Sequence, residues 1–457
     1  MTLAVTFVAD VFLDNSCKGR FNNIIVTNIY IKIYYCWCEM NYRLKKIDVI
    51  IVVALIVIAG IVLFKIGYID TTPEQDKTEI IPEELPAPPI KPPESFLPGY
   101  MRAVSPEDEG VHFDKLRISR EWWYFNAVFD EESDLNGWTV AVSFNHMARS
   151  DLLGTLKPDL LVVTLHGPNG EEYGGMINKQ RGLGILNQPT LEATSPGVSV
   201  TYEDSWAEGK APEWHVHAED NEIDKDHEII IDLDYFTSSE PLWTMGERAF
   251  DKSKSNIASY MFIGCNVTGV INIDGTEYYV RGSGHHEHSW SPHIVTRGSI
   301  NGWDWCHMTL DNGWNIYFNS YYPTPQAITR KTSRINPFGT LVITTDQGKT
   351  LTQLNNIEPK IVKSDTKVFP FVTIPSEIRV TAKPSILQPL LKPYDIQLDI
   401  SIVADNTYEK VWKFPTYVGM KVGRSTITGT MQWSDDDGDH EIEVNGIGTF
   451  WSMSALF

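Results

Sequence analysis

Val267-Thr268-Gly269-Val270, Asp274-Gly275 and Gly282-Ser283-Gly284 follow one another, and the same order recurs as Ile427-Thr428-Gly429-Thr430, Asp437-Gly438 and Gly446-Ile447-Gly448. The openings of the two stretches match as well. Glu121-Trp122-Trp123-Tyr124-Phe125 starts a strand-like run to Asp130, and Gly137-Trp138 starts another ending at Val142-Ser143-Phe144-Asn145. Later, Trp303-Asp304-Trp305 starts a run to Asp311, and Gly313-Trp314 starts one ending at Ile316-Tyr317-Phe318-Asn319. Two stretches with the same ordered landmarks imply an internal duplication. The runs alternate or are rich in β-formers, and turn signals such as Pro168-Asn169-Gly170 and Asp311-Asn312-Gly313 separate them. The expected fold is all-β: two tandem closed antiparallel barrels of roughly eight strands each, over residues 101–292 and 293–457.

Composition agrees with a β-rich globular body. The 14 Trp, 19 Tyr and 19 Phe lie mostly in runs with β-branched residues, as pleated sheets favour. The net charge of −21, with no basic stripe, argues against a nucleic-acid partner. The five cysteines form no disulfide framework. Cys17, Cys36 and Cys38 lie in the N-terminal segment, and Cys265 and Cys306 read as buried thiols of the body.

The N-terminal hundred residues read differently. Val49 to Phe64 is apolar or Gly throughout, and with its flanks gives a transmembrane anchor over 47–69. Arg43, Lys45 and Lys46 precede it and acidic residues dominate after it, which places residues 1–46 in the cytoplasm and the body outside. The chain is thus expected to be a single-pass protein of the cell membrane with an extracytoplasmic body. Met40 opens a conventional anchor, a short basic segment and then the apolar run, so translation is expected to start there. Residues 70–100 form a stalk, with eight prolines between 71 and 99 that favour extended geometry.

One cluster breaks the duplication. After Gly282-Ser283-Gly284 comes His285-His286-Glu287-His288-Ser289-Trp290, whereas the later copy continues Thr449-Phe450-Trp451-Ser452. The Gly-x-Gly is shared, but the ionisable cluster belongs to one copy only. On a strand, His286 and His288 share one face, and His285 and Glu287 the other. Glu121, His146, His215 and His217 are further candidates from the same half. Three readings stay open: buried groups that hydrogen-bond the strands, acid–base chemistry in an aromatic pocket, or a metal site built from two His-x-His pairs. The aromatic run Trp122 to Phe125 is either core or a stacking wall. Asn266-Val267-Thr268 matches the glycosylation sequon but falls within a strand.

These landmarks together resemble the lipocalin-like hydroxyneurosporene synthase (carotenoid 1,2-hydratase) and AttH family. The resemblance rests on Ser119 to Phe125, on Gly282 to Trp290, and on Gly302-Trp303-Asp304-Trp305 with Asp311-Asn312-Gly313. It spans about residues 101–457. It implies two lipocalin-like barrels and a hydrophobic, isoprenoid or polyene, ligand. Similar proteins often carry an acidic residue in the terminal strand; here Phe450 and Trp451 follow Thr449.

The expected activity is addition of water to an alkene by a hydro-lyase of this type; a non-catalytic lipid or isoprenoid carrier is the alternative. The candidate catalytic residues are Glu121, His286, Glu287 and His288. Glu121 or Glu287 is the candidate acid, and His286 or His288 orients water. Trp122, Trp123, Tyr124, Trp290, Trp303 and Trp305 are the candidate substrate-binding wall. No nucleotide loop, nucleophile elbow or redox-cofactor fingerprint occurs, so no cofactor is expected and no metal is assigned. Topology is checked by protease added to intact cells stripped of their outer layers. Residues 71–457 are expected to be digested; protection until lysis contradicts the orientation.

Overall fold

The computed structural model describes residues 24–26 and 29–31, and within 103–456 residues 103–113, 120–147, 159–178, 190–219, 222–245, 258–291, 300–323, 339–345, 350–354, 357–368, 372–382, 396–412, 417–435 and 438–456. The chain divides into two compact units, Met1–Ala87 and Pro88–Phe457. In the first unit, β1 (Ile24–Val26) and β2 (Ile29–Ile31) pair as an antiparallel hairpin. The expected anchor at 47–69 and stalk at 70–100 lie outside the described residues. Among the described residues no helix is long and apolar enough to cross a membrane.

Among its described residues the second unit holds two antiparallel sheets and one short helix, α1 (Pro106–Glu109). The first sheet is built from β3 (Arg120–Phe129), β4 (Thr139–Met147), β5 (Leu160–His166), β6 (Glu172–Ile177), β7 (Leu191–Ala193), β8 (Val198–Tyr202), β9 (Ser205–Lys210), β10 (Glu213–Glu219), β11 (Ile229–Phe236), β12 (Leu242–Met245), β13 (Ala258–Ile273) and β14 (Thr276–Ser291). Its order is β6-β5-β4-β3-β14-β13-β11-β10-β9-β8-β7, with β12 beside β13. The second sheet comprises β15 (Ile300–Leu310), β16 (Asn315–Pro323), β17 (Thr340–Thr345), β18 (Thr350–Leu354), β19 (Ile357–Val368), β20 (Val372–Ala382), β21 (Gln397–Trp412), β22 (Tyr417–Asp435) and β23 (Gly438–Leu456). Its order is β18-β17-β16-β15-β23-β22-β21-β20-β19.

The duplication is visible in the pairing. In the first sheet the last strand returns beside the first, β14 against β3; in the second, β23 returns beside β15. The expected closure is not seen: among the described residues neither sheet's order returns to its first strand. In the first sheet, side chains bridge the two ends instead of a backbone ladder. The Asp159 carboxylate accepts from the backbone N–H of Thr190 and Leu191, and the Tyr202 hydroxyl donates to the carbonyls of Asp159 and Ile177.

Local chemistry explains the ladder. Asp274 (φ 52°) and Gly275 (φ 82°) both sit in the left-handed region, the two-residue turn that joins β13 to β14 without splaying them. A bulge at Gly264 (φ 77°) shifts the β13 register opposite His285 and Gly284. The Gly-x-Gly pairs are close-packing devices in both sheets. A Cβ on Gly282 would lie 1.9 Å from the Val128 carbonyl oxygen, and one on Gly448 would lie 2.0 Å from that of His307. Cys265 and Cys306 are buried free thiols, one in each sheet.

Each sheet has its own apolar core. Trp123, Phe125, Trp214, Tyr260, Phe262 and Trp290 belong to the first, and Cys306, Met308, Phe318, Phe450, Ile400 and Trp433 to the second. A third cluster lies where the sheets meet and draws on both: Tyr124, Met261 and Ile263 from the first, Trp305, Tyr317, Val422 and Trp451 from the second. Polar bonds cross the same contact, among them Ser283 Oγ to Asn315 Oδ1 at 3.0 Å and Arg424 Nε to the Gly137 carbonyl at 3.1 Å. Gly282→Ala and Gly448→Ala each force a ladder apart and are expected to cost about 1–3 kcal/mol, the usual range for overpacking. A urea midpoint equal to that of the unaltered protein would contradict this close approach.

Candidate functional site

Strand alternation divides the predicted cluster between two places. Glu287 pairs with Tyr124, Ser289 with Trp122 and His285 with Asn126; these residues face the contact between the sheets. His288 pairs with Trp123, His286 with Phe125 and Trp290 with Glu121; these face the core of the first sheet. The candidate residues therefore do not form one pocket. Glu121, His286, His288, Trp123 and Trp290 lie on one side of the β3–β14 ladder. Glu287, Trp122 and Tyr124 lie on the other, where Trp303 and Trp305 of the second sheet meet them.

The contact holds an acid whose environment keeps it protonated. Glu287 is 2% exposed. Its Oε1 accepts from Trp122 Nε1 and Ser259 Oγ, both at 3.3 Å. Among the described residues its Oε2 has no hydrogen-bond partner, and neither has His285 Nε2, 3.7 Å away. Burial pushes the Glu287 carboxyl up to about 8, against those two hydrogen bonds. The group is thus a carboxylic acid at neutral pH. Burial, then His307 and His286, push His285 well below its usual range, so its imidazole is neutral.

Aromatic rings and a few polar groups surround this pair. Trp305 lies 5.7 Å from both Tyr124 and Trp451, ring centre to ring centre, and Tyr124 lies 5.4 Å from Trp451. The indole N–H groups of Trp305 and Trp451 have no partner among the described residues. Asn126 Nδ2 donates to Thr449 Oγ1 at 2.7 Å and to the Tyr124 hydroxyl at 3.0 Å, so a bond between the sheets holds Tyr124 in place. His307 and Tyr317 flank His285 at 5.3 and 5.7 Å. Trp122 and Trp303 are only partly buried and mark the side of the cluster nearer to solvent.

The other face holds a hydrogen-bond network around Glu121, while His286 Nε2 has no partner among the described residues. Glu121 accepts from the backbone N–H of His112 and of Phe113, and its Oε1 lies 2.9 Å from both His112 Nδ1 and His288 Nε2. Burial pushes the Glu121 carboxyl up, but the hydrogen bonds and charges of His112 and His288 outweigh it and bring it to about 2. An ionised Glu121 cannot serve as a proton donor at neutral pH. His286 stacks on Phe125 at 4.2 Å, faces the Tyr124 carbonyl through Nδ1, and is pushed down to about 3 by burial. Its face of the ladder gives neither it nor His288 a direct approach to Glu287. Trp123 donates to the Glu109 carbonyl, and Trp290 stacks on His112.

The two His-x-His pairs do not meet. His215 and His217 sit on β10 and pair with Asp234 and Asp232 of β11, partly exposed and away from the core that holds His286 and His288. Sequence reading left unassigned several residues that the structure places at the contact: Asn126, His285, His307, Tyr317, Thr449 and Trp451. The signal available for them was the repeat. Thr449 and Trp451 occupy the places of His285 and Glu287 when the Gly-x-Gly pairs are aligned. Asp304, inside the second sheet beside Ser320, is a further buried acid, pushed up to about 7 by burial.

Burial of a protonated carboxyl fixes the sign of its pH effect. Folded Glu287 holds its proton to about pH 8, whereas its ordinary value is 4.5. Across that window the folded state binds more protons than the unfolded chain, so stability is fully present below the lower value and falls as pH rises through the window. Asp304 and Glu109, both pushed up to about 7 by burial, act in the same direction. The buried histidines His166, His285, His286 and His307, pushed down by burial, act in the opposite direction below about pH 6.5. Thermal melts from pH 6.5 to 8 should therefore show this loss, and Glu287→Gln should flatten it. Parallel curves for the two proteins would contradict a raised Glu287.

No family model and no curated protein matches the chain. Its fold is similar to several solved structures. A putative AttH from Nitrosomonas europaea is 15% identical, with 79% of this chain and 98% of that one covered and a TM-score of 0.48. Kievitone hydratase from Nectria haematococca is 9% identical over 79% of this chain and 93% of that one, with a TM-score of 0.49. CghA with Sch210972 is 12% identical over 78% and 97%, with a TM-score of 0.45. Likenesses at this level fix no activity.

Proposed function

We propose that the protein is a hydro-lyase that adds water to an alkene of a hydrophobic, isoprenoid or polyene, substrate at the contact between its two sheets. The observation that carries this reading is Glu287: a buried carboxylic acid, protonated at neutral pH, with Trp122 against one oxygen and no hydrogen-bond partner for the other among the described residues.

The chemistry follows from that placement. The alkene π pair takes the proton from Glu287 Oε2, a C–H bond forms, and the positive charge falls on the more substituted carbon. The π faces of Tyr124, Trp305 and Trp451 stabilise that charge. Trp122 N–H and the Ser259 hydroxyl stabilise the carboxylate left behind. A water held by neutral His285 attacks the cation and gives a proton back to Glu287, which restores the acid. Substrate enters past the partly exposed Trp122 and Trp303. In this reading Glu121, His286 and His288 support the first sheet and take no part in proton transfer. Residues 47–69 anchor the chain, 70–100 form the stalk, and 101–292 and 293–457 form two tandem lipocalin-like β-domains outside the membrane, beside a bilayer in which such substrates dissolve.

The test uses a panel of acyclic isoprenoid alkenes in ¹⁸O-labelled water, read by mass spectrometry. The unaltered protein should form a labelled alcohol. Glu287→Gln should lower turnover by at least about 10²-fold, as loss of a positioned acid does, while ligand binding is retained. Glu121→Gln should keep the chemical step. Equal turnover in the Glu287 variant rules it out as the acid. Bound ligand without product from any member favours the carrier.

A further inference from the structure

His112, Glu121 and His288 take no part in the proposed reaction, yet they form the most tightly converging buried polar group described in the first sheet. His112 is 7% exposed, Glu121 and His288 not at all. They come from three places: the segment after α1, the start of β3, and the end of β14. Their ligand-type atoms all lie within 4.8 Å of one another. His112 Nδ1 and His288 Nε2 each approach the same oxygen, Glu121 Oε1, at 2.9 Å.

Hydrogen-bond geometry sets His288 Nε2 against the Glu121 carboxylate. His288 Nδ1 lies 2.9 Å from the Asp108 carbonyl, which can only accept, so Nδ1 carries a hydrogen. His288 Nε2 then has either a lone pair against a carboxylate oxygen, which repels, or a second hydrogen, which puts an imidazolium in the core. A divalent ion removes the conflict, because it accepts lone pairs from both imidazoles and the carboxylate at once.

We propose that His112, Glu121 and His288 bind a divalent transition-metal ion of the zinc class. Two imidazoles and a carboxylate are a ligand set such ions accept. Tetrahedral bonds of about 2.0–2.1 Å put ligand atoms about 3.3 Å apart, so each histidine–carboxylate pair, now at 2.9 Å, opens by only about 0.4 Å. Outer contacts already aim all three ligands. The Asp108 carbonyl orients His288, Trp290 stacks on His112 with ring centres 3.7 Å apart, and the Phe113 N–H holds Glu121 Oε2 at 2.9 Å. The ion clasps residues 105–113, the segment that follows the stalk, onto the β3–β14 ladder. This site is independent of Glu287, which lies on the opposite face.

The full chain, purified in detergent without a metal-affinity step and stripped with a chelator, is titrated with Zn²⁺ and with Co²⁺. One equivalent of Co²⁺ should give visible absorption bands of a nitrogen–oxygen site, and one equivalent of Zn²⁺ should abolish them. Zn²⁺ should raise Tm by about 5 °C or more. Glu121→Gln and His112→Gln should lose the bands, and His217→Ala, on the outer face, should keep them. No bands in the unaltered protein overturns the proposal, whatever the variants do. Bands that persist in Glu121→Gln, or vanish only in His217→Ala, overturn it as well.

Discussion

The β3–β14 ladder carries the core of the first sheet on one face and the contact with the second sheet on the other, and every candidate residue is assigned by that division. Side chains two apart share a face, so a shift of one residue in register would exchange the two sets completely. The bulge at Gly264 and the close approach at Gly282 pin the register. Glu287 thereby lies against Trp122, Ser259 and His285, and His288 against Glu121, although the two are neighbours in sequence.

The two faces differ in how their polar groups are satisfied. Around Glu121 both carboxylate oxygens accept hydrogen bonds and the carboxylate is ionised, although His286 Nε2 and the Tyr235 hydroxyl in the same core have no partner among the described residues. Around Glu287, the acid oxygen, a histidine nitrogen and two indole N–H groups are left without partners in a buried, aromatic setting. Each such group costs roughly 1–3 kcal/mol of lost solvation. A fold keeps several of them in one place at a cost to stability, and a ligand or water that binds there offsets the cost. The polarity of the contact is therefore the physical basis for placing the chemistry between the sheets.

Much of this was legible in the sequence. The duplicated landmarks gave the two-sheet plan, because turn glycines and aromatic strand openings are local signals. The alternation of His285 to His288 followed from strand geometry alone. Which face meets the second sheet was not legible, because both faces of β14 are buried and the usual polar–apolar alternation is absent. His112 was invisible for a different reason: it precedes β3 in an irregular segment, and only the fold brings it to Glu121. How the first sheet's ends meet was not legible, since strand spacing cannot show that, among the described residues, side chains of Asp159 and Tyr202 tie them. Thr449 and Trp451 could have been found from the repeat, as the residues that replace His285 and Glu287.

The account stands on Glu287 being a neutral acid in the folded protein. Infrared spectra of the unaltered protein and of Glu287→Gln at pH 7 measure this directly, through the C=O stretch of protonated carboxyl groups. Asp304 and Glu109 contribute to both spectra and cancel in the difference. The account predicts one protonated-carboxyl band in the unaltered protein that is lost in the variant. A difference spectrum that instead shows loss of an ionised carboxylate contradicts it.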